Sequence, residues 1–295
     1  MTITILQGHC IDVMRQMPDA SVQAIITSPP YWTLRKYGTN AVDWGDWSGE
    51  LGQEATPQAF VAHLVHVFRE ARRVLKPNGL MWVNLGDTYA KGMGMPPKSL
   101  VGIPWRFALA MIDDEWILRQ DIIWHKPNPM PESVTDRCTK AHEYVFMFAK
   151  SRQYHWDASV MQEDGLVLPK INRASKKLSA AYDGHQKPGS HSGLTRDHLL
   201  NGKRNRRSVW TVAVGQLDEN HHAAWPRALV MPMILASTRA GDTVLDPFSG
   251  SGTTVSVASS VGRIGIGIEL NPEYVQISQS RACRTQMGLQ MDSEL

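Results

Sequence analysis

The chain has 295 residues, 42% of them apolar, which is enough to bury a full core in one large domain or two modest ones. It has no apolar run long enough to cross a membrane and no basic, then apolar N-terminal segment typical of a secretory signal. The net charge of +3 says little about partners, and the cysteines, Cys10, Cys138 and Cys283, are too widely spaced to predict a disulfide framework or a zinc site, which favours a reducing cytoplasm.

Apolar runs of strand length alternate with amphipathic segments through the first half of the chain. The predicted strands lie at residues 3–6, 22–26, 80–84, 117–124 and 143–148. The predicted helices lie at residues 11–17, 57–75 and 103–112, and the longest has apolar residues at helical spacing. Lys76-Pro-Asn-Gly79 ends that helix, and residues 31–53, rich in Gly, Trp and Asp, are predicted to form a long loop.

A polar, basic insertion is predicted at residues 151–207. Between Lys170 and Arg207 there are ten Lys or Arg against two Asp, a local charge of +8, and few large apolar residues. Such a stretch is either a solvated insertion or a surface that contacts phosphates and orders on DNA, because basic clusters supply most sequence-independent affinity for the duplex. The motifs below favour the second interpretation. The predicted DNA contacts at its end are Lys203, Arg204, Arg206 and Arg207.

The alternation of helices and strands resumes after the insertion. A helix is predicted at 226–237, a strand at 243–245, a helix after Gly252, a strand at 264–269 and a terminal helix from Pro272. Strands that alternate with helices predict a parallel, doubly wound α/β sheet. In such a sheet, ligands bind in a crevice at the carboxyl ends of the strands.

One of these strand ends carries a glycine turn, in the run Val244-Leu-Asp-Pro-Phe-Ser-Gly-Ser-Gly-Thr-Thr254. Gly250 and Gly252 allow the backbone to turn sharply and to approach a ligand, at which the amides of the next helix then point. Asp246 is placed to meet a cation, such as the amino group of a methionine-like tail. Glu269 ends the next strand, where a carboxylate commonly binds both hydroxyls of a ribose. A loop for NAD, the competing interpretation, usually has three glycines and follows the first strand.

A second strand end carries the rigid run Ser28-Pro-Pro-Tyr31, which the prolines Pro29 and Pro30 restrain. Their carbonyls can only accept hydrogen bonds, and an exocyclic amino group of a base needs two acceptors. The Ser28 hydroxyl and the Pro29 carbonyl could engage both N–H bonds and draw the nitrogen towards tetrahedral geometry. Tyr31 offers a face on which an extruded base could stack, worth about 1–3 kcal/mol. No cysteine follows a proline in such a loop, which argues against methylation at carbon 5 of cytosine.

These motifs resemble those of the DNA amino-methyltransferases that make N4-methylcytosine or N6-methyladenine. The order, with Ser-Pro-Pro-Tyr before Phe-x-Gly-x-Gly, is similar to that of the family's beta group. Other segments are also similar to family motifs: Arg72-Arg-Val-Leu-Lys-Pro-Asn-Gly-Leu80, Trp82-Val-Asn-Leu-Gly-Asp87, Ile122-Ile-Trp-His-Lys-Pro-Asn-Pro-Met-Pro131, Lys140-Ala-His-Glu-Tyr-Val-Phe-Met-Phe-Ala-Lys150 and His222 to Leu235. The resemblance covers most of residues 1–150 and 208–280.

The resemblance implies a Rossmann-like S-adenosylmethionine-dependent methyltransferase fold with a mixed seven-stranded sheet, circularly permuted, and a recognition insertion. It implies a catalytic part at 1–150, a target-recognition insertion at 151–207 and a cofactor-binding part at 208–295. The implied cofactor is S-adenosylmethionine, and no metal is expected. The residues expected to bind S-adenosylmethionine are Asp246, Pro247, Phe248, Gly250, Ser251, Gly252, Thr253 and Glu269.

One position departs from the family pattern, and a second bears on the choice of base. Gly8-His9 stands where many relatives have Gly-Asp, so the carboxylate that contacts the adenosine end of the cofactor is missing there. Ser28 stands where many adenine-directed members have Asp, and Ser-Pro-Pro-Tyr is commoner among the N4-cytosine enzymes. We therefore expect an enzyme that rotates one base out of a DNA site and methylates its exocyclic amino group, with N4 of cytosine favoured.

Other functions remain open at this point. The nearest is an N6-adenine enzyme with the same machinery, and another is a catalytically inactive DNA-binding specificity subunit, which the intact motifs disfavour. A methyltransferase for small molecules or proteins would leave the proline tip and the basic insertion without a purpose. The implied partner is double-stranded DNA, and a homodimer and a cognate restriction endonuclease of a restriction–modification system are further possibilities.

Overall fold

The computed structural model describes residues 2–92, 94–164, 203–214 and 225–293, and side chains up to residue 283. The chain divides into two compact units, one of Met1–Asp157 with Ser208–Leu295 and one of Ala158–Arg207. Of the second unit, residues 158–164 and 203–207 are described. None of the helices within the described ranges is long and apolar enough to cross a membrane.

The strands and helices of the described residues are numbered here in chain order. The strands are β1 (Ile3–Gln7), β2 (Val22–Thr27), β3 (Val42–Asp43), β4 (Ser48–Gly49), β5 (Leu75–Leu85), β6 (Ile117–His125), β7 (His142–Ala149), β8 (Gln162–Asp164), β9 (Lys203–Asn205), β10 (Val209–Thr211), β11 (Thr243–Asp246) and β12 (Ile264–Glu269). The helices are α1 (Cys10–Arg15), α2 (Pro57–Val74), α3 (Ile103–Asp113), α4 (Arg227–Ser237), α5 (Thr253–Ser260) and α6 (Pro272–Ser293).

Eight described strands of the first unit form one sheet, in the order β1-β12-β11-β2-β5-β7-β6-β10. Among them, β7 runs antiparallel to its neighbours β5 and β6, while the other pairs are parallel. The prediction of an α/β fold with a mostly parallel, mixed sheet is therefore confirmed. Strands that are covered on both faces are mainly apolar, as in β2, where every residue is buried and only Gln23 and Thr27 are polar.

The sheet has one strand more than the seven that were predicted. The additional strand, β10, pairs with Ile123–His125 of β6 at the edge of the sheet, and Trp210 at its centre is buried against Trp82, with the ring centroids 6.4 Å apart. Three residues are too few to show the alternation of apolar and polar side chains that marks a strand in a sequence. Residues 209–211 form a strand because they pair with β6, which is distant in the sequence.

Two further differences concern segments predicted as breaks. β5 starts at Leu75 and includes the proline and glycine that were predicted to end the helix, and its register with β2 shifts between Val22 and Ala24 to accommodate residues 76–79. The predicted loop at 31–53 contains the short β3–β4 ladder. This loop is attached to α2 through His63, whose ring nitrogens lie 2.9 Å from Glu54 and 3.0 Å from Asp46 and whose ring stacks against Trp44 and Trp47.

Helix α2 illustrates how local sequence builds this layer. The hydroxyl oxygen of Thr56 accepts a hydrogen bond from the Ala59 amide at 3.2 Å, and Pro57 occupies the first turn, where its missing N–H is not needed. One face of the helix then buries Phe60, Leu64 and other apolar side chains against the sheet. The fold thereby places the carboxyl ends of β2, β5, β11 and β12 along one edge.

Candidate active site

The two sequence motifs meet at this carboxyl edge. β11 pairs with β2 through Val244 with Ala24 and Leu245 with Ile25, so the two strands end side by side. The Thr27 hydroxyl, at the end of β2, donates a buried hydrogen bond of 2.6 Å to Oδ1 of Asp246, at the end of β11. A cavity of about 620 Å³ opens beside this contact and is lined by both motifs. This volume lies in the range of ligand-binding sites.

Most of the residues predicted to bind the cofactor line this cavity. The lining includes Asp246, Pro247, Phe248, Gly250, Ser251, Thr253 and Glu269. Gly252 does not line it but is the N-cap residue of α5, at φ +78°, and a Cβ there would lie 2.1 Å from Oγ of Ser278 in α6. Glycine at this position therefore serves the turn and the packing of two helices, while Gly250, at φ +51°, faces open space.

Asp246 is a buried carboxylate that hydrogen bonds hold in place. Its Oδ1 accepts hydrogen bonds from the Thr27 hydroxyl and from the Phe248 amide, the latter at 3.1 Å. Burial nevertheless raises the pKa of Asp246 to about 6, since hydrogen bonds of this kind only partly replace the lost hydration. A positively charged group in the cavity would favour its ionised form.

Glu269 is held by two backbone amides, one of which belongs to the glycine turn. Its Oε2 accepts a hydrogen bond from the Gly250 amide at 2.8 Å and its Oε1 accepts one from the Asn271 amide at 2.7 Å. Burial raises the pKa of Glu269, and the amides counteract that rise. Each carboxylate oxygen has a further lone pair, so the side chain can still accept two hydrogen bonds from a ligand.

All four predicted catalytic residues, Ser28, Pro29, Pro30 and Tyr31, also line the cavity. The Tyr31 oxygen lies 2.7 Å from Oε2 of Glu143 and 2.8 Å from Oδ1 of Asn84. The Tyr31 ring packs against the core beside Gly86, where a Cβ would approach the ring to 2.6 Å. Burial and the charge of Glu143 hold the pKa of Tyr31 well above its usual value, so the phenol keeps its hydrogen.

The polar residues of the cavity that were not predicted as site residues include Asn84, Lys126 and Glu143. Asn84 is buried near the end of β5, where it lies 3.3 Å from the Ser28 hydroxyl, and Lys126 forms an ion pair with Glu143 of β7. Asn84 and Glu143 belong to the family-like segments 82–87 and 140–150. A polar residue in an otherwise apolar strand was the signal that could have identified them.

Two histidines near the site differ in their relation to the cavity. His125 is outside the cavity lining, and its Nδ1 lies 3.1 Å from the Thr211 hydroxyl. His9, which replaces the expected Asp, lines the cavity and packs edge-on against Trp44 with centroids 5.0 Å apart. Burial is the main cause that lowers the pKa of His9, which favours the neutral imidazole at this position.

The predicted DNA contacts belong to the second compact unit, on and beside the β8–β9 ladder. Lys203 forms an ion pair with Asp164 at 2.6 Å, and Arg204 and Arg207 lie 2.9 and 2.7 Å from Glu163. The Arg206 amide donates to the Met161 carbonyl at 2.8 Å. The other cations of the basic insertion, from Lys170 to Arg196, lie outside the described residues. Their contact with DNA stays a prediction.

No group of three or more His, Cys, Asp or Glu side chains is placed to hold a metal ion in the part of the chain that the structure describes. The charged groups of the cavity lining include Asp246 and Glu269 by the glycine turn, Lys126 and Glu143 by the tip, and also Arg35 and Glu50. This arrangement can hold a ligand with hydroxyl and cationic groups next to the residues of the proline tip.

Comparison with known proteins gives consistent matches over most of the chain. A family model described as DNA methylase matches residues 22–280. The type II methyltransferase M.Cfr9I of Citrobacter freundii is 40% identical over 301 residues, which cover 94% of this chain and 87% of that protein. The fold is similar to that of the PvuII DNA methyltransferase (cytosine-N4-specific), with a TM-score of 0.68, 22% identity and coverage of 95% and 86% of the two chains.

A second solved structure is a proposed DNA modification methylase from Thermus thermophilus in complex with S-adenosyl-L-methionine. Its TM-score with this chain is 0.60 at 25% identity, and the match covers 97% of this chain and 96% of that one.

Proposed function

The chain belongs to the DNA methylase family that matches residues 22–280, and we propose that it transfers a methyl group from S-adenosylmethionine to N4 of a cytosine extruded from DNA. The observation that carries this proposal is the junction of the two motifs, in which the Thr27–Asp246 hydrogen bond sets the proline tip beside the glycine turn in a single cavity. Transfer between two bound groups depends on such proximity and orientation.

The residues of the glycine turn are suited to S-adenosylmethionine. Asp246 is a buried carboxylate suited to the cationic amino group, and Glu269 has acceptor positions left for the two ribose hydroxyls. Pro247, Phe248, Ser251 and Thr253 complete this part of the cavity lining. The bound cofactor supplies a methyl group activated by a sulfonium. The S-adenosyl-L-methionine complex of the Thermus thermophilus protein supports the same choice of cofactor.

The tip prepares the amino group of the base. The Ser28 oxygen and the Pro29 carbonyl accept its two N–H bonds, which makes the nitrogen lone pair more available. Asn84 supports this role, because its Oδ1 lies 3.3 Å from the Ser28 oxygen and can receive the hydroxyl hydrogen. The lone pairs of Ser28 then remain for the base. Hydrogen bonds in such a site are stronger than in water because the local dielectric constant is lower.

Cytosine is favoured over adenine because the tip begins with Ser28 and carries no carboxylate of its own. The family includes both specificities, so an N6-adenine enzyme with the same machinery is the nearest alternative. The β8–β9 segment would contact phosphates as part of the recognition insertion at 151–207. A homodimer and a cognate restriction endonuclease stay predictions.

The experiment is mass spectrometry of nucleosides from plasmid DNA incubated with the purified protein and S-adenosylmethionine. Ser28→Ala is compared with Ser21→Ala, which replaces another half-buried serine, just before the start of β2, whose hydroxyl donates to the Pro18 carbonyl at 2.7 Å. N4-methylcytosine from the wild type and from Ser21→Ala, but not from Ser28→Ala, is the expected result. N6-methyladenine would overturn the choice of base, and cofactor binding without any modified base on varied DNA would favour the inactive specificity subunit.

A further inference from the structure

We propose that Glu143, held by Lys126, is a positioning residue that sets the direction of the hydrogen bonds at the tip and thereby keeps Ser28 an acceptor. This inference rests on the proposed function, in which Ser28 accepts a hydrogen bond from the amino group of the base. It concerns the cluster of Ser28, Tyr31, Asn84 and Glu143, which we call the tip network.

The hydrogen of the Tyr31 hydroxyl has a choice of two acceptors in the tip network. Tyr31 has a single hydroxyl hydrogen and two acceptors at nearly equal distances, Oε2 of Glu143 at 2.7 Å and Oδ1 of Asn84 at 2.8 Å. A carboxylate accepts a hydrogen bond roughly twice as strong as one to a neutral carbonyl. The Tyr31 hydrogen therefore points to Glu143.

Lys126 keeps Glu143 in the state that this arrangement needs. Its Nζ contacts Oε1 of Glu143, whereas Tyr31 contacts the other carboxylate oxygen, Oε2. Both side chains of the ion pair are largely buried. The same Nζ lies 4.3 Å from the centroid of the Trp124 ring, which stabilises the ammonium in this position. The ion pair leaves Oε2 oriented towards the tip.

The orientation of Asn84 completes the network. Its Nδ2 donates to the Tyr144 carbonyl at 3.0 Å, so the amide oxygen is the atom that faces the tip. With the Tyr31 hydrogen on Glu143, this oxygen is available to the Ser28 hydroxyl at 3.3 Å. The Ser28 oxygen then presents only lone pairs to the cavity.

Loss of Glu143 would reverse these directions. The Tyr31 hydrogen would turn to Oδ1 of Asn84 and compete there with the Ser28 hydroxyl, whose other acceptor within reach is the Tyr31 oxygen at 3.4 Å. The Ser28 hydrogen would then be held less firmly and would turn more often towards the incoming amino group, which offers two donors and needs acceptors. The backbone of the tip would stay in place, but Ser28 would become a poorer hydrogen-bond acceptor for the amino group of the base.

The test is a double-mutant cycle with Glu143→Ala, Tyr31→Phe and the combination, measured as kcat with saturating S-adenosylmethionine and DNA. Loss of one charge-assisted hydrogen bond should lower kcat of Glu143→Ala by about 10- to 100-fold. Adding Tyr31→Phe should then raise kcat again, because no phenol hydrogen competes for Asn84. Glu70→Ala is the matched control, since Glu70 also forms a partly buried ion pair, with Arg73 at 2.9 Å, but lies outside the cavity lining.

Each result bears on one hypothesis. A double variant no more active than Glu143→Ala would overturn the inference, because a merely structural Glu143 predicts no recovery. If the alanine variant unfolds in a thermal melt, the uncharged and isosteric Glu143→Gln replaces it in the same cycle with the same expected recovery. Absence of any methylated base with the wild type would instead contradict the proposed function.

Discussion

On the cofactor side of the cavity, both carboxylates come from one βαβ unit, Asp246 from the end of β11 and Glu269 from the end of β12. On the tip side, the polar groups come from β2, β5, β7 and the end of β6, and Tyr31 and Glu143 are 112 residues apart in the chain. The first arrangement depends on one local turn and the amides that hold it, with the Thr27 hydroxyl of β2 as a distant donor to Asp246. The second depends on the register of four strands, so the two sides should respond differently to substitution.

The largest effect is expected from Glu269→Ala on the cofactor side. It removes the acceptor of the Gly250 and Asn271 amides together with the predicted ribose contacts. Because hydrogen bonds to a charged group contribute about 1.5–3 kcal/mol each, affinity for S-adenosylhomocysteine should fall about 100-fold or more. Isothermal titration calorimetry measures this Kd. Glu143→Ala should leave it nearly unchanged, and an equal loss in both variants would contradict the separation of the two sides.

Gly252→Ala tests the packing that supports the glycine turn. A Cβ would lie 2.1 Å from Ser278 Oγ, and the backbone φ of +78° disfavours any side chain. The free energy of unfolding should fall by about 2–3 kcal/mol in urea titrations. Gly250→Ala is the control, because its Cβ would meet no atom within 4 Å. The free energy of unfolding of that variant should fall by only about 1 kcal/mol, because the backbone φ of +51° still disfavours a side chain. Equal losses would show that the α5–α6 contact contributes little.

A dependence of cofactor affinity on pH should distinguish Asp246 from the tip. Burial raises the pKa of Asp246 to about 6, and its ionised form is the one that would bind a cationic amino group. Affinity for S-adenosylhomocysteine should therefore be constant above about pH 7 and weaken about tenfold by about pH 5, as the carboxylate becomes protonated. Asp246→Asn should bind weakly at every pH. A wild-type Kd that stays independent of pH across this range would contradict the cationic contact.

The same raised pKa predicts the opposite effect on stability without ligand. A carboxyl whose pKa is higher in the folded than in the unfolded protein stabilises the fold when protonated, and this stabilisation is lost as pH rises from about 4 to 6. Asp246→Asn should therefore unfold at a higher urea concentration than the wild type at about pH 7.5. The difference should shrink at about pH 4.5, where the wild-type carboxyl is largely protonated.

The smallest effect is expected in the second compact unit. Arg204→Ala should weaken DNA binding only severalfold, because the arginine is also paired with Glu163 at 2.9 Å. The slope of log affinity against log salt should fall by about 1 if Arg204 contacts a phosphate. Arg69→Ala, which removes an exposed arginine paired with Asp114, is the control. Fluorescence anisotropy over a salt series measures the affinity and its salt dependence for each variant. A slope of Arg204→Ala identical to that of the wild type would exclude the phosphate contact.

The chemistry of the two motifs and the elements that carry them followed from local sequence. Short, mainly apolar runs identify β2, β11 and β12. Glycine and proline specify the turns that follow β11 and β2, because these residues release or restrict the backbone wherever they stand. The resemblance to a permuted methyltransferase rests on the same segments. Asp246 and Glu269 could be placed at strand ends for this reason, before any long-range contact was known.

Only the tertiary structure decided which partners surround those motifs. The Thr27–Asp246 hydrogen bond spans 219 residues, and Asn84 and Glu143 reach the tip through strand pairing that no local pattern encodes. The eighth strand, Val209–Thr211, and the role of Gly252 in the α5–α6 contact likewise depend on distant residues. Local sequence determines which groups can react, whereas the direction of their hydrogen bonds depends on atoms that folding brings together.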